Sequence, residues 1–231
     1  MLEISGVDAL RGDTRVLHDV SLRVGVGEMV ALIGRNGMGK TTLLRAILGQ
    51  CTVTRGHIRF EGEDLRGKPT HRVARLGIGV VPEGRGMFST LTVRESLLMG
   101  GHRSKAATAA LAGAFDRFPV LRERADDKAG SLSGGQQQVL AIARALISKP
   151  KLLLIDEFSE GIQPNLVQEI AAMLCTLQEE GLSILLVEQN ARLALRTAQR
   201  GYILEKGRIV VEGNAPDLLA DEGVLTRHLV V

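Results

Sequence analysis

The chain has 231 residues, of which 45% are hydrophobic and 24% are charged. This is the profile of an ordinary globular protein with a sizeable core. No stretch approaches the ~20 uninterrupted apolar residues that a membrane span needs, and the N-terminus does not look like a signal peptide. A net charge of +3 and 3% aromatic residues argue against nucleic acid as a partner, because its binders tend to carry a basic stripe or stacking aromatics. We therefore expect a cytoplasmic protein whose link to any membrane goes through other subunits.

The first third of the chain alternates short apolar runs with turn residues. This pattern predicts strands at 2–7, 15–24, 28–33, 57–60 and 79–81, and short helices at 41–48 and 73–76. A glycine-rich turn separates the third strand from the first helix.

The rest of the chain is predicted to be helical at first and then to alternate between helices and strands. From residue 93 to about residue 125 it is rich in Ala, Leu and Arg, which predicts a helical insertion. Beyond it we expect helices at 136–147, 166–179 and 191–198, strands at 151–155 and 183–187, and a hairpin over 202–212 that turns at Lys206 and Gly207. The strands are apolar on both faces, so they predict an α/β fold with a mostly parallel sheet covered on both sides.

The glycine-rich turn matches G-x-x-x-x-G-K-[ST], the phosphate-binding P-loop. Its residues are Gly34, Arg35, Asn36, Gly37, Met38, Gly39, Lys40, Thr41 and Thr42. The glycines let backbone N–H groups point at phosphate oxygens, and the start of the next helix adds partial positive charge. Lys40 is expected to reach the β- and γ-phosphates, and Thr41 to offer its hydroxyl to Mg²⁺. A turn without function is the alternative, which the strand before it and the helix after it make improbable.

Two acidic residues, Asp156 and Glu157, follow the apolar run at 152–155. In open α/β sheets, ligands bind at the C-terminal ends of the strands. Asp156 is expected to hold Mg²⁺ through water, and Glu157 to orient or deprotonate the water that attacks the γ-phosphate. The alternative is that both acids cap the next element, but the upstream P-loop favours the catalytic interpretation.

A third motif opens the helix predicted at 136–147. It consists of Leu132, Ser133, Gly134, Gly135 and Gln136. From the residues alone, Ser133 is an N-cap and the glycines expose backbone N–H groups, which makes a second anion site. Together with the P-loop and the acidic strand end, this LSGGQ sequence resembles the signature motif of the ATP-binding cassette (ABC) family. The resemblance covers essentially the whole chain.

The resemblance implies a single ABC ATP-binding domain over residues 1–231. Its P-loop NTPase core, with an N-terminal antiparallel β subdomain, would span 1–90 and 150–231. An inserted α-helical subdomain at about 91–149 would carry the signature motif. ATP and Mg²⁺ are the implied cofactors, and ATP hydrolysis is the implied activity.

In the family, the signature motif of one subunit faces the γ-phosphate held by the P-loop of another. Residues 132–136 would therefore act in trans, in a pair formed with a paralogue or with a second copy of the chain. Residues 159–164 align with the D-loop, which crosses the interface of that pair. The implied metal site consists of Thr41, Glu83 and Asp156, with Glu83 at the Q-loop position, where most members have Gln.

Three positions depart from the family pattern. Gln189 replaces the usual switch His and cannot carry a charge, so we expect it to hydrogen-bond the γ-phosphate and leave Glu157 as the base. Arg11 stands where an aromatic side chain often stacks on adenine; a guanidinium plane can stack too, with Val16 as the other residue expected beside the nucleotide. Phe158 replaces the usual Pro, and the sequence offers no physical account of that change.

Within the family, three stretches look like the F-type ATP-binding subunit of branched-chain amino acid importers: 81–85, 97–100 and 187–190. A fourth, 160–164, looks more like the ATP subunit of urea and short-chain amide importers. The implied partners are transmembrane permease subunits, a second ATP-binding subunit and, indirectly, a substrate-binding protein. The chain would then lie at the cytoplasmic face of the inner (plasma) membrane, attached through these subunits.

An importer subunit would need a surface for its permease, and residues 83–89 with the helical insertion would form a groove for a permease helix. Rival functions are an ABC ATPase acting on nucleic acid or the ribosome, a regulatory ATP-binding module, and a small P-loop kinase. The first usually has long insertions or two cassettes in one chain. Intact Lys40, Asp156 and Glu157 argue against the second, and the third would not need the signature motif.

Overall fold

The computed structural model describes residues 1–101 and 105–229. Strands form within residues 2–81 and again within residues 152–214. They are Leu2–Arg11 (β1), Thr14–Val24 (β2), Met29–Ile33 (β3), Thr52–Phe60 (β4), Glu63–Asp64 (β5), Ile78–Val81 (β6), Leu152–Asp156 (β7), Ser183–Glu188 (β8), Arg200–Glu205 (β9) and Arg208–Asn214 (β10).

Helices connect the strands and form the segment between β6 and β7. They are Lys40–Ile47 (α1), Thr70–Arg75 (α2), Val93–Leu98 (α3), Lys105–Arg117 (α4), Pro119–Glu123 (α5), Gly134–Leu146 (α6), Pro164–Glu179 (α7), Ala191–Thr197 (α8), Ala215–Ala220 (α9) and Glu222–Leu229 (α10), with 3₁₀ turns at Glu83–Gly86 and Ala129–Ser131. Among the described residues, no helix is both long enough and apolar enough to cross a membrane.

A six-stranded sheet with the order β10-β9-β3-β8-β7-β6 forms the centre of the fold. All neighbouring strands in it pair in parallel except β10 and β9, which are antiparallel. Every residue of β3, β7 and β8 is buried, as expected for strands covered on both faces. The parallel pairing places the C-terminal ends of these three strands at one edge of the sheet, where ligands bind in such folds.

A second, antiparallel sheet has the order β2-β1-β4-β5. Its buried face packs against α1 and the central sheet in one apolar cluster, which includes Leu2, Ile4, Leu43, Phe60 and Leu154. Burying each such side chain stabilises the fold by about 1.5–3 kcal/mol. The cluster therefore fixes the N-terminal sheet against the helix that follows the P-loop.

The helical segment has an apolar cluster of its own. Helices α3 to α6 enclose Val93, Leu97, Phe115, Leu121 and Leu140. The other face of α6 contributes to a further cluster with β7 and α7. Helix α6, which begins directly after Ser133, thus joins the helical segment to the central sheet.

The α/β class and the mostly parallel sheet are as the sequence predicts. The insertion is helical but divided into three helices: Gly100 and Gly101 follow α3, and Pro119 begins α5. Residues 102–104 of the predicted insertion lie outside the described residues.

Strand and helix ends differ more from the prediction. Strand β1 continues past its predicted end to Arg11, and β4 begins at Thr52, before its predicted start. The two strands remain paired over this added length, with register shifts at polar residues. Helices α9 and α10 were not predicted. Their few apolar residues, such as Leu218 and Leu225, pack under β3 beside Ala31, so tertiary packing rather than periodicity defines them.

Candidate active site

The P-loop lies between β3 and α1, and residues of neighbouring strands pack closely against its Gly34 and Gly39. Gly39 is the N-cap of α1 with φ 109°, a left-handed conformation that favours glycine. A Cβ on Gly39 would lie 2.9 Å from Cδ2 of Leu17, and one on Gly34 would lie 2.5 Å from the carbonyl oxygen of Leu204. The first N–H groups of α1 have no acceptor within the helix, so they remain for a ligand held by this loop.

The Lys40 side chain is only 4% exposed and turns into the P-loop. Its Nζ donates to the carbonyl oxygen of Gly34 at 2.7 Å and to that of Arg35 at 3.2 Å. The same Nζ lies 3.0 Å from Oε1 of Glu157. A buried ammonium group needs such partners. The arrangement holds positive charge in the loop and connects it to the end of β7.

The order of the central strands sets the predicted residues side by side. The P-loop follows β3, Gln189 follows β8, Glu157 follows β7, and Glu83 comes two residues after β6. All four strands run in the same direction. Their C-terminal ends therefore form one row of functional groups.

Asp156, the last residue of β7, is buried beside this row, at 4% exposure. Burial raises its pKa to about 6, and the Glu157 and Glu83 carboxylates add to the rise, while the Thr41 hydroxyl and Lys40 lower it. Its Oδ1 atom is buried without a hydrogen-bond partner among the described residues. An unpaired buried carboxylate oxygen costs free energy unless something binds it.

These groups fit a magnesium ion. Mg²⁺ prefers oxygen ligands and is commonly held by one or two carboxylates. Thr41, Glu83 and Asp156 supply only oxygen donors, and the unpartnered Oδ1 of Asp156 is such a ligand. Glu83 also lies in a carboxylate cluster with Glu157 and Glu160, in which one oxygen atom from each residue lies within 4.8 Å of the others. Negative charge is therefore concentrated beside the P-loop.

The backbone of Glu157 is strained. Its φ is 50°, a left-handed conformation that costs an L-residue with a side chain about 1–2 kcal/mol. The Glu157 N–H donates to the carbonyl oxygen of Val187 at 2.9 Å. Two residues later, Ser159 binds the Glu188 carboxylate through both its N–H, at 3.1 Å, and its hydroxyl, at 3.0 Å. The segment after β7 is thus held to the end of β8.

Arg85 holds the same segment from the other side. Its guanidinium donates to the carbonyl oxygen of Glu160 at 3.1 Å and to Oε1 of Gln137 at 3.3 Å. Arg144 in turn donates to the carbonyl oxygens of Arg85, at 2.8 Å, and Gly86, at 2.7 Å. These hydrogen bonds therefore join the turn after β6 to the loop after β7 and to helix α6.

The third motif forms a capped helix start, as predicted for Ser133. The Ser133 hydroxyl accepts from the Gln136 N–H, and the Gln136 side chain accepts from the Ser133 N–H, which is a capping box. The helix begins at Gly134, two residues before the predicted start. Leu132 is buried in the helical segment, and Gly135 packs against Leu166, whose Cδ1 would lie 2.4 Å from a Cβ at this position.

The two residues expected beside adenine lie on the paired strands β1 and β2, near the turn that joins them. Val16 borders the P-loop, since its Cγ1 would lie 3.5 Å from a Cβ on Gly39. Arg11 is exposed at the end of β1, where it pairs with Thr14. No hydrogen bond or ion pair within residues 1–101 and 105–229 joins Arg11 to the P-loop.

Gln189 is exposed at the C-terminal edge of the sheet.

The sequence model of the ABC transporter family matches residues 17–160. The chain belongs to the ABC transporter family. A relative in Pseudomonas aeruginosa, the high-affinity branched-chain amino acid transport ATP-binding protein BraG, is 46% identical over 99% of both chains. In Archaeoglobus fulgidus, the probable branched-chain amino acid transport ATP-binding protein LivF is 35% identical over 96% of this chain and 95% of its own.

Solved structures agree with this assignment. A nucleotide-free ATP-binding cassette from an ABC transporter superposes with a TM-score of 0.88 at 26% identity, covering 97% of each chain. A dimeric cassette in a post-hydrolysis state, bound to ADP and Pi, gives a TM-score of 0.81 at 25% identity, covering 93% of this chain and 99% of that one. The protein is accordingly an ABC ATPase, which binds ATP and hydrolyses it.

Sequence reasoning missed two side chains of this ABC ATPase site. Glu188 was read only as part of a family stretch, and Arg85 likewise. A carboxylate that ends a largely apolar strand was the available signal for Glu188, since the same pattern identified Asp156. Nothing local marks Arg85, because its contacts with Glu160 and Gln137 are long-range.

Proposed function

We propose that this chain is the ATP-hydrolysing subunit of a membrane importer for branched-chain or related hydrophobic amino acids. The observation that carries the proposal is the 46% identity to BraG over 99% of both chains. The second relative, LivF, carries branched-chain amino acid transport in its name as well. The residues that select the substrate belong to other subunits, a binding protein and a permease.

In this proposal the P-loop residues 34–42 bind the phosphates of ATP, with Val16 and Arg11 on the adenine side. Lys40 contacts the β- and γ-phosphates. These contacts replace part of its hydrogen bonding to the carbonyl oxygens of Gly34 and Arg35. Thr41, Asp156 and Glu83 hold Mg²⁺, which supplies charge neutralisation at the phosphates.

Hydrolysis then requires a base beside the γ-phosphate. Glu157 is supported in this role because it lies 3.0 Å from Lys40, so that a phosphate bound at Lys40 is within its reach. Glu157 takes a proton from the attacking water as the water oxygen bonds to phosphorus, and ADP leaves with the electron pair of the broken bond. Gln189 donates a hydrogen bond to the γ-phosphate and remains uncharged throughout.

A second ATP-binding subunit completes the site. Residues 132–136 of one subunit would contact the γ-phosphate bound by the other, using Ser133 and the N–H groups of Gly134 and Gly135. The hydrogen bonds of Ser133 within its own chain run to Gln136. The relative solved as a dimer with ADP and Pi supports such a pairing. Residues 159–164 would cross the interface.

We further propose one ABC domain over 1–231, with a core at 1–90 and 150–231 and a helical subdomain at about 91–149. It would lie at the cytoplasmic face of the membrane, held by permease subunits. The surface proposed for the permease is apolar: Phe88, Leu98 and Met99 are 52%, 37% and 62% exposed. Arg144 contacts both sides of this surface, binding Gly86 and packing against Gly100.

Uptake in cells lacking the chain tests the importer assignment. Wild-type chain supplied from a plasmid should restore uptake of labelled leucine, isoleucine and valine, whereas Glu157→Gln should not. Restored uptake of urea without leucine would favour the short-chain amide alternative. If DNA or RNA stimulated the ATPase activity and the cells took up neither the amino acids nor urea, the non-transport alternative would be favoured and the proposal overturned.

The permease surface is tested by adding charge to it. Met99→Glu should abolish uptake while ATP hydrolysis by the purified chain stays at the wild-type rate. Val210→Glu is the matched control, because Val210 is 43% exposed on β10, at the opposite edge of the sheet. Equal uptake by the two variants would remove this surface from the proposal.

A further inference from the structure

Glu188 is a buried carboxylate for which the reaction described above has no use. It is 1% exposed and ends β8, directly before Gln189. Its Oε1 accepts from the Ser159 N–H at 3.1 Å and its Oε2 from the Ser159 hydroxyl at 3.0 Å. Acidic residues are almost never fully buried unless they are paired in this way.

The partner of Glu188 lies two residues after Glu157. Glu157 itself has φ 50°, so its backbone would relax toward an ordinary conformation if its neighbours were free to move. Two anchors from β8 prevent this. The Glu157 N–H donates to Val187 at 2.9 Å, and Ser159 is fixed by Glu188.

The anchors matter because the Glu157 side chain must meet a water molecule at the γ-phosphate. Lys40 fixes the carboxylate at one oxygen, 3.0 Å away, but this ion pair does not define the direction from which the side chain enters the site. The left-handed backbone defines it. A small displacement of a reacting group is enough to lower a rate strongly.

We propose that Glu188 is a positioning residue, which holds the backbone of Glu157 in its catalytic conformation by binding Ser159. The inference rests on the proposed role of Glu157 as the base. Glu188 acts through hydrogen bonds and takes no proton from the attacking water.

Three variants separate this role from simple support of the fold. Glu188→Ala removes both bonds to Ser159. Glu188→Gln can keep both, because its amide oxygen accepts from the Ser159 N–H and its amide nitrogen donates to the Ser159 hydroxyl. Ser183→Ala is the control: Ser183 is buried at the other end of β8, where its Oγ accepts from the Gly27 N–H at 2.9 Å.

Steady-state hydrolysis of ATP by the purified chain is the first measurement. Glu188→Ala should lower kcat by about tenfold or more, the effect of losing hydrogen bonds to a charged group, with KM for ATP nearly unchanged. Glu188→Gln should restore most of the rate, and Ser183→Ala should keep it. Ser159→Ala should lower kcat as well, and combining it with Glu188→Ala should add little.

Hydrogen exchange of the backbone amides is the second measurement, and it does not depend on turnover. The amides of Glu157 and Ser159 should exchange faster in Glu188→Ala than in wild type, and at nearly wild-type rates in Glu188→Gln. Unchanged exchange at both amides would overturn the inference. It would also be overturned if Glu188→Gln hydrolysed ATP as slowly as Glu188→Ala. Faster exchange over the whole chain of Glu188→Ala, and not only at these amides, would overturn it too.

The base assignment is checked separately from the positioning role. If Glu157→Gln hydrolysed ATP at the wild-type rate, the proposed function of Glu157 would fail, and this inference with it. If Glu157→Gln is inactive and Glu188→Ala is fully active, only the positioning role fails.

Discussion

The Nζ atom of Lys40 lies 3.0 Å from Oε1 of Glu157, so one ion pair joins the P-loop to the end of β7. Both side chains are largely buried, at 4% and 12% exposure, where an unpaired charge is costly. Because Lys40 is also the expected partner of the γ-phosphate, the same cation can hold the phosphate and the base next to each other. Nucleotide binding and hydrolysis are thereby connected through a single side chain.

Replacing Lys40 should abolish tight ATP binding. Lys40→Ala removes a charged donor to the phosphates, which corresponds to a loss of about 10- to 100-fold in affinity. It also leaves Glu157 without its partner. Titration with a fluorescent ATP analogue measures the effect. Lys151→Ala is the control, because it breaks an exposed ion pair with Glu61 and should leave affinity unchanged; equal affinity of both variants would contradict the phosphate role.

Phe158, which replaces the Pro usual in the family, has a structural explanation. Its side chain is fully buried in the cluster formed by β7, α6 and α7. Phe158→Ala should therefore lower the free energy of unfolding by about 3–5 kcal/mol, measured by denaturant titration. Phe88→Ala should change it little, because Phe88 is 52% exposed. A similar loss in both variants would show that burial does not explain Phe158.

Asp156 gives the stability of the chain a distinctive dependence on pH. Its pKa is raised from 3.8 to about 6 in the folded chain, so between these values the folded state binds more protons than the unfolded state. Stability is then lost as the pH rises through this window, by about 3 kcal/mol for a shift of this size. Without Mg²⁺, Asp156→Asn should be more stable than wild type at pH 7.5 and equally stable at a pH well below 3.8.

Thermal unfolding at both pH values measures this difference. Asp64→Asn is an opposite-sign control, because the hydrogen bond from Arg66 lowers the pKa of Asp64. That variant should lose stability at pH 7.5 and match wild type at a pH well below 4. A gain by Asp156→Asn that is the same at both pH values would contradict the burial of a charged carboxylate.

Pairing of two chains should become visible when hydrolysis is blocked. Glu157→Gln incubated with ATP and Mg²⁺ should elute from a size-exclusion column as a dimer, and as a monomer with ADP. Ser133→Arg in the same background should bind ATP and stay monomeric, because the bulky cation occupies the place of the opposite γ-phosphate. If Glu157→Gln elutes as a monomer with ATP as well as with ADP, closure of the pair needs a different ATP-binding subunit or the membrane subunits.

The sequence was sufficient for the parts of the site that are contiguous. The P-loop, the acids after β7 and the capping Ser133 each follow from local rules of strand, glycine and cap. The contacts of Glu188 with Ser159 and of Arg85 with Glu160 could not be predicted, since they join segments 29 and 75 residues apart.

The division of the helical segment shows the same limit. Its composition predicts helix throughout, yet Pro119 starts a new helix, and helices α3 to α6 pack around one shared apolar cluster. Helices α9 and α10 are defined by contacts with β3. Local propensity thus identified the elements that carry strong patterns, and tertiary packing decided the rest.

The rate of ATP hydrolysis by Glu157→Gln tests the central claim most directly. Gln keeps the size of the side chain but cannot accept the proton of the attacking water. The account predicts ATP affinity close to that of wild type and a rate lower by about 10²- to 10⁴-fold, the usual contribution of a general base. Hydrolysis at the wild-type rate would show that Glu157 is not the base.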